Sequence, residues 1–352
     1  MSWLGVKGAD RAADALRESW RLGRFPHALL FAGPEGVGKK TLARGLAQAI
    51  LCEARPALSL VACGLCPSCV QVIGESHPDL MEVKRPDDKQ ELPVQVVREL
   101  CDWFGLKPMR GPGKVAIVDD ADDLTTEASN AFLKTLEEPP PGAVLVLIST
   151  SIEVLLPTIL SRCQVVRFDP LPLAVVAELL LERGLAGGLG EATRLAALGE
   201  GSASRSILLA DPEFARFRRG LIDLLGGEHG FAPPELAART LAFLRQAGKE
   251  AVEQRRRGVL VAGELARFFR GVLETGLGLE PPCPLPEDAP PRDALALELE
   301  PEDAIALVER CLRAEYELER RLYLPLVVES FMHDVGVVLN RGREIVPTAV
   351  AE

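Results

Sequence analysis

The sequence predicts an α/β fold, with a parallel sheet in the first half of the chain and helices alone in the second. Up to residue 168, apolar runs of strand length alternate with segments in which apolar residues recur at helical spacing. A glycine-rich turn separates the first apolar run from the helical segment that follows it. From residue 212 onward no strand pattern remains, and Leu, Ala, Arg and Glu are frequent. We therefore expect an α/β domain over residues 1–168, a small helical domain over 169–211 and a helical domain over 212–352.

The elements can be placed in chain order from the same periodicity. The predicted strands are residues 28–32, a stretch within 77–83 that follows a turn, and residues 115–118, 143–148 and 164–168. The predicted helices of the first half are residues 9–22, 42–51, 94–104 and 128–137. Later helices are expected over 171–184 and 191–198, from about 203, and over 301–322, with a further segment that ends near residue 341. The charged run 255–257 indicates a solvated helix face more than a DNA-binding site.

The turn after the first strand has the composition of a phosphate-binding loop. Residues 33–39 read Gly-Pro-Glu-Gly-Val-Gly-Lys, which matches the pattern GxxxxGK between a strand and a helix. Gly33, Gly36 and Gly38 allow backbone N–H groups to crowd around a phosphate, and the helix N-terminus with Lys39 adds positive charge. The alternative interpretation is a glycine turn that only packs. The strand and helix on either side favour the phosphate site.

The position after Lys39 departs from this pattern. A Ser or Thr hydroxyl normally stands there and holds Mg²⁺, but this chain has Lys40, with Thr41 one residue later. The loop is therefore expected to bind phosphate, whereas hydrolysis of ATP with Mg²⁺ is left open.

Four of the cysteines have metal-ligand spacing. Cys52 follows the second predicted helix, and Cys63, Cys66 and Cys69 form a CxxCxxC run on what we expect to be a tight turn. Four thiolates at such spacing suit a tetrahedral, structural Zn²⁺ site within a module over residues 52–69. An iron–sulfur cluster and a redox dithiol are the alternatives. Neither has support elsewhere in the sequence.

Two further strands end in polar residues. The run 115–118 is followed by Asp119 and Asp120, and the run 143–148 leads to Thr150. In P-loop proteins the first acid organises Mg²⁺, and the second can polarise the attacking water. A hydroxyl at the carboxyl end of a parallel strand can sense a γ-phosphate. The alternatives are a solvated acidic turn at 119–120 and a helix cap at Thr150.

Composition limits the classes of function. The chain has 352 residues, of which 47% are hydrophobic, and a net charge of −11. A chain this acidic is not expected to hold DNA through a broad basic face of its own. The longest apolar runs are shorter than a membrane span, and residues 1–7 show no signal pattern. We expect a cytoplasmic protein without membrane contact.

In combination these motifs resemble a known family, the bacterial clamp-loader subunits of the AAA+ ATPases. The resemblance covers residues 1–210 and rests on the order of five features. They are the loop 33–41, the four cysteines, the strand and acids 115–120, the run Leu-Lys-Thr-Leu-Glu-Glu-Pro-Pro at 133–140, and Ser161-Arg162-Cys163. It implies an AAA+ P-loop domain with a zinc insert, a helical lid and a C-terminal helical collar that mediates oligomerisation.

The resemblance also implies roles for single residues. Arg162 would be an arginine finger that reaches a nucleotide on the neighbouring subunit. Thr150 falls at the first sensor position. Arg205 lies near the second sensor position, but its spacing from Gly201-Ser202 is one residue longer than in the motor subunits. The family's members form hetero-pentameric rings that open a sliding clamp and load it on primed DNA.

Three hypotheses of function follow. The first is a ring component that hydrolyses ATP weakly or not at all, since Lys40 replaces the metal-binding hydroxyl and Asp120 a usual glutamate. The second is an ATP-hydrolysing motor subunit of the same ring. The third is an unrelated P-loop enzyme such as a small-molecule kinase, for which the sequence offers no substrate lid and no use of Ser161-Arg162-Cys163.

Overall fold

The computed structural model describes residues 6–54, 59–86, 89, 91–227, 229–248, 251–281 and 285–345. These residues form two compact units. The first unit comprises residues up to 183 together with 199–204, and the second comprises residues 184–198 and those from 205 onward. The three-part division expected from the sequence stays a prediction.

The first unit is built on a five-stranded parallel sheet with the order β2-β3-β4-β1-β5. The strands are β1 (Ala28–Ala32), β2 (Leu80–Val83), β3 (Lys114–Val118), β4 (Ala143–Ser149) and β5 (Gln164–Arg167). Every residue of β1, β3 and β4 is buried, as expected for strands covered by helices on both faces. The α/β fold predicted from the sequence is confirmed.

The helices of the first unit precede, connect and follow these strands. They are α1 (Asp10–Arg21), α2 (Lys39–Leu51), α3 (Pro67–Ile73), α4 (Val94–Gly105), α5 (Thr126–Glu137), α6 (Pro157–Leu160) and α7 (Leu173–Glu182). On one face of the sheet, Leu100 and Phe104 of α4 and Phe132 of α5 pack against β3 and β4. The apolar faces that the sequence periodicity predicts for α4 and α5 therefore pack against the sheet.

One local prediction is wrong. The CxxCxxC run was expected on a tight turn, but its second half begins helix α3. Pro67 occupies the first position of the helix, and the sulfur of Cys66 accepts a hydrogen bond from the Cys69 N–H. Proline at the first helical position and a side-chain acceptor before it favour a helix start.

The second unit is helical, as predicted. Helix α9 (Ala203–Leu209) crosses from the first unit into the second. The remaining helices are α8 (Leu189–Leu198), α10 (Pro212–Leu225), α11 (Pro233–Arg245), α12 (Ala251–Gly276), α13 (Ala289–Glu298), α14 (Pro301–Glu319) and α15 (Leu324–Leu339). Their apolar faces share one core that includes Phe231, Phe269 and Phe331.

Several ion pairs are buried within this helical core. Arg218 Nε donates to Glu264 at 2.8 Å, and Arg218 Nη2 donates to Asp288 at 2.6 Å. The side chains of Arg218 and Glu264 are only 10% and 2% exposed. The prediction of a solvated face at 255–257 is wrong for Arg257, which is 13% exposed, pairs with Asp211 at 2.9 Å and stacks on the Phe243 ring. A charge run alone does not reveal partners that come from other helices.

Among the described residues, no helix has both the length and the apolar character required to cross a bilayer.

Candidate functional site

The loop predicted to bind phosphate, residues 33–39, lies between β1 and the N-terminus of α2. Gly36 and Gly38 have φ values of 77° and 94°, a region that residues with a side chain rarely adopt. A Cβ atom added to Gly36 would lie 2.1 Å from the hydroxyl oxygen of Ser202. The carbonyl of Gly36 also accepts a hydrogen bond from the Ala203 N–H at 3.0 Å. The loop therefore requires glycine both for its conformation and for its contact with residues 202–203.

Lys39 is folded into the loop. Its ammonium donates to the carbonyl oxygens of Gly33 and Pro34, the latter at 2.6 Å, and the residue is buried. Burial lowers the pKa of Lys39, while the charges of Asp122, Glu35 and Asp119 oppose that shift. A phosphate in the loop would replace the carbonyl contacts with a charged partner. The phosphate-binding role of Lys39 stays a prediction.

Lys40 makes a contact that the sequence pattern did not predict. Its Nζ lies 2.8 Å from Oδ2 of Asp119, the acid at the end of β3. The backbone N–H of Asp119 donates to Val83 of β2 at 2.8 Å, which fixes the acid at the edge of the sheet. The residue at the metal-binding hydroxyl position is thus ion-paired to the acid expected to organise the metal. Thr41, in the first turn of α2, is exposed.

The end of β4 adds a hydroxyl to the same edge. Because β4 lies between β3 and β1, its carboxyl end separates the acids from the phosphate loop. The backbone N–H and the hydroxyl of Thr150 both donate to Asp122 at 2.8 Å, and the Ser149 hydroxyl donates to the same carboxylate. Asp120, whose φ is 58°, is in the left-handed region between Asp119 and the 3₁₀ turn Ala121–Asp123.

Asp122 was missed as a site residue. Helix α5 is capped by Thr125, which accepts from the Ala128 N–H at 3.0 Å. Asp122 instead accepts two hydrogen bonds from Thr150, the residue that the resemblance places at the first sensor position. The signal in the sequence was a third acid shortly after β3, in a protein where that edge of the sheet carries the phosphate loop.

Arg162 lies in the turn between α6 and β5. Its Nη1 donates to the Thr158 carbonyl at 3.0 Å and to the Ser161 hydroxyl at 3.1 Å, and its Nη2 lies 2.5 Å from Glu137 at the end of α5. About a third of the side chain, 32%, is exposed. The guanidinium is therefore oriented by three partners and still accessible.

Arg205 belongs to the second unit, where its Nη2 lies 3.4 Å from Oε1 of Glu264. The ion pair belongs to the buried cluster around Arg218. The second sensor role of Arg205 stays a prediction.

The four cysteines predicted as metal ligands are brought together. Their sulfur atoms all lie within 4.8 Å of one another, and the pairs Cys63–Cys69 and Cys52–Cys66 are 3.9 Å apart. A tetrahedron with metal–sulfur bonds of about 2.3 Å has sulfur–sulfur edges of about 3.8 Å, so the cluster has the dimensions of a Zn²⁺ site.

Backbone groups favour the thiolates of Cys63 and Cys66, whereas burial raises the pKa of Cys69. Cys63 accepts from the N–H groups of Leu65 and Cys66 at 3.5 and 3.3 Å, and these bonds lower the pKa of Cys63. Burial disfavours the thiolate of Cys66, but hydrogen bonds from the N–H groups of Cys69 and Glu53 contribute to lowering its pKa to about 6. The donor set is therefore suited to hold a divalent metal.

Comparison with known proteins agrees with this picture for the first half of the chain. Residues 8–172 match the family model described as DNA polymerase III, delta subunit. The chain is 39% identical over 177 residues to DNA polymerase III subunit delta' of Pseudomonas aeruginosa, which covers 50% of this chain and 53% of that protein. It is 37% identical over 162 residues to subunit tau of Escherichia coli, which covers 46% of this chain and 24% of that protein.

A third relative extends slightly further along the chain. Subunit gamma of Buchnera aphidicola is 31% identical over 210 residues, covering 58% of this chain and 55% of that protein. The chain thus spans from about a quarter to just over half of the length of these relatives. Among solved structures, a gamma subunit-related protein from Thermotoga maritima aligns with a TM-score of 0.44 at 19% identity, over 92% of this chain and 98% of that one. The family model and the relatives named delta', tau and gamma confirm the resemblance to bacterial DNA polymerase III subunits over about the first half of the chain.

Proposed function

We propose that this chain is a delta-prime-like subunit of the DNA polymerase III clamp loader, because residues 8–172 match the family model described as DNA polymerase III, delta subunit, and the chain is similar to a subunit named delta'. It supplies Arg162 in trans to a nucleotide bound by the neighbouring subunit, and it hydrolyses little or no ATP itself. The observation that carries the proposal is the ion pair between Lys40 and Asp119 at 2.8 Å. An active P-loop site requires a hydroxyl and a carboxylate that together hold Mg²⁺. Here the ammonium of Lys40 stands at the hydroxyl position and contacts the carboxylate of Asp119.

The environment of Arg162 supports the trans role. A planar guanidinium can donate two parallel hydrogen bonds to phosphate oxygens, and it does so best when its orientation is fixed in advance. Glu137, Thr158 and Ser161 fix the orientation here, and the exposed fraction leaves the group accessible. An incoming triphosphate would take over the hydrogen bonds now made to Glu137. The chain would then stabilise negative charge on a nucleotide that another subunit positions.

The second candidate is an ATP-hydrolysing, gamma-like motor subunit. It is favoured by the intact loop from Gly33 to Lys39, by Thr150 at the sensor position, and by the similarity to subunits named gamma and tau. Turnover of ATP by the isolated chain separates the two. A motor subunit would show magnesium-dependent turnover, whereas a delta-prime-like subunit would not exceed the background of a Lys39→Ala variant.

The cysteine cluster supports a structural Zn²⁺ ion held by Cys52, Cys63, Cys66 and Cys69. Sulfur–sulfur distances of 3.9 Å suit a closed tetrahedral site with no open position for water. When bound, the ion would tie the end of α2 to the start of α3. We assign it no part in the chemistry of nucleotides.

The partners of this subunit would be gamma or tau and delta in a hetero-pentamer. The helical residues 212–352 are suited to form the collar of such a ring, with residues 1–168 as the AAA+ domain and 169–211 as the lid. The sliding clamp and primed DNA would be reached through the complex, since a net charge of −11 leaves the chain poorly suited to hold DNA alone.

Reconstitution with the loader subunits of the same organism tests this function. The chain should co-purify with them, and ATP turnover of the complex with clamp and primed DNA should require it, although the chain alone is inactive. Failure to enter the complex would reject the proposed function. Strong turnover by the chain alone would select the motor subunit instead.

A further inference from the structure

The ion pair between Lys40 and Asp119 has a consequence for the chain's own phosphate loop. Lys40 is the second residue of α2, directly after the lysine of the loop, and its ammonium lies at the carboxyl end of β3. A Mg²⁺ ion at this place would need an oxygen ligand from residue 40 and access to the Asp119 carboxylate. Residue 40 supplies a cation instead of an oxygen, and that cation already contacts the carboxylate. The residues present do not fit Mg²⁺.

The same residues fit a phosphate group without metal. An ammonium has three N–H donors, so the contact with Asp119 leaves Lys40 able to donate to phosphate oxygens as well. Lys39 supplies a second positive charge from within the loop. The helix N-terminus and the loop N–H groups add further donors. Lys39 and Lys40 together provide the positive charge that comes from one lysine and the metal ion in a magnesium-dependent site.

From this arrangement we infer that Lys40 takes the place of Mg²⁺, so that the phosphate loop binds a nucleoside di- or triphosphate in its metal-free form. The nucleotide would serve as a bound ligand of the first unit and not as a substrate. The inference rests on the proposed function in one respect, namely that this subunit hydrolyses little or no ATP, and adds that its loop still accepts a nucleotide. The trans role of Arg162 requires no nucleotide in this loop, so the two proposals can fail separately.

Calorimetric titration of the full chain with ADP and with ATP, in excess EDTA and in excess MgCl₂, tests the inference. We expect that MgCl₂ does not tighten binding and that it raises the apparent dissociation constant, more for ATP than for ADP, because the metal withdraws nucleotide from the metal-free pool. Binding tightened more than about tenfold by MgCl₂ would overturn the inference. Failure of both nucleotides to bind in either condition would also overturn it and would leave the role of Arg162 untouched.

The substitution Lys40→Thr restores the usual hydroxyl and removes the charge. In EDTA it should weaken ADP binding by roughly 10- to 100-fold, as expected for the loss of a hydrogen bond between charged groups. In MgCl₂ the variant should recover most of this affinity and thereby acquire magnesium dependence. Unchanged binding in EDTA would contradict the inference.

Lys107→Thr is the matched control, because Lys107 is exposed on the loop before β3 and its loss changes the net charge equally. Its dissociation constants should equal those of the unmodified chain in both conditions. Equal weakening by Lys107→Thr and Lys40→Thr in EDTA would overturn the inference, because the effect would then reflect net charge alone. The comparison of EDTA with MgCl₂ on the unmodified chain requires no variant, so the inference stays testable if Lys40→Thr folds poorly.

Discussion

Two sets of ion pairs, around Arg218 in the helical unit and around Lys40 and Arg162 in the sheet unit, differ in burial, and this difference separates stability from function. In the helical unit, Arg218 and Glu264 are withdrawn from solvent and satisfy each other within the core. In the sheet unit, Lys40 and Asp119 are 41% and 25% exposed, and the guanidinium of Arg162 is similarly accessible. Exposed pairs contribute about 0–1 kcal/mol, whereas breaking a buried pair costs about 3–5 kcal/mol. The exposed pairs are therefore free to serve ligand binding, and the buried pair is committed to the fold.

The largest expected effect concerns the cysteine cluster, on which the folding of the sheet unit depends if it binds Zn²⁺. Cys63→Ser should abolish stoichiometric zinc and destabilise the first unit by a large part of the binding free energy, on the order of 10 kcal/mol. Metal analysis and thermal unfolding measure both effects. Cys101→Ser is the control, since that thiol lies outside the cluster. Purified protein without zinc would refute the metal assignment.

A smaller loss of stability is expected from the buried pair. Arg218→Met leaves the carboxylates of Glu264 and Asp288 without their main partner and should lower the free energy of unfolding by about 3–5 kcal/mol. Denaturant titration measures the change.

Arg219→Met is the matched control for Arg218→Met, because the neighbouring Arg219 forms an exposed pair with Asp223. It should cost less than about 1 kcal/mol. Equal effects of the two variants would show that burial does not determine how much these ion pairs contribute to the free energy of unfolding.

Substitution of Glu137 tests whether the exposed pair near Arg162 orients the guanidinium. Glu137→Gln keeps the size of the side chain and removes its charge, so Arg162 should lose orientation while the fold is unchanged. In a reconstituted loader, ATP turnover should fall less than in an Arg162→Ala loader. Glu138→Gln, at the adjacent exposed position, should have no effect. Equal turnover for both glutamine variants would show that Glu137 does not orient Arg162 for its role in ATP turnover.

The smallest effect on stability is expected for Lys40→Thr. Because its pair with Asp119 is partly exposed, the variant should change the free energy of unfolding by no more than about 1 kcal/mol. Denaturant titration in the absence of nucleotide provides the test. A loss of several kcal/mol would mean that this pair supports the fold in the way the Arg218 pair does.

Most of the sheet unit could be predicted from the sequence, since its signals are local. The strand, glycine turn and helix around Lys39 are contiguous, and the four cysteines lie within 18 residues. The pair between Lys40 and Asp119 joins residues 79 positions apart, and it depends on the order of the strands. The pairs of Arg162 with Glu137 and of Asp122 with Thr150 likewise depend on tertiary contacts.

In the helical unit the sequence located several helices, but it did not predict their contacts. Helical periodicity marks which faces are apolar, but it does not identify the partner of a charged residue within a core. Arg257 lies in a run of three arginines that resembles a solvated face. Its side chain nevertheless pairs with Asp211 and stacks on the Phe243 ring. Pairing between helices far apart in sequence decides such cases.

The proposal that this chain lends Arg162 to a neighbour's nucleotide is tested most directly by ATP turnover of the reconstituted loader with Arg162→Ala in place of the unmodified chain. An arginine finger raises the rate of hydrolysis by about 10³–10⁵-fold at the site it serves. That site should therefore lose its activity and the turnover of the complex should fall, while assembly is unchanged. Arg21→Ala, an exposed arginine paired with Glu18 on α1, should leave turnover unaltered. Full turnover by a correctly assembled Arg162→Ala loader would contradict the proposal.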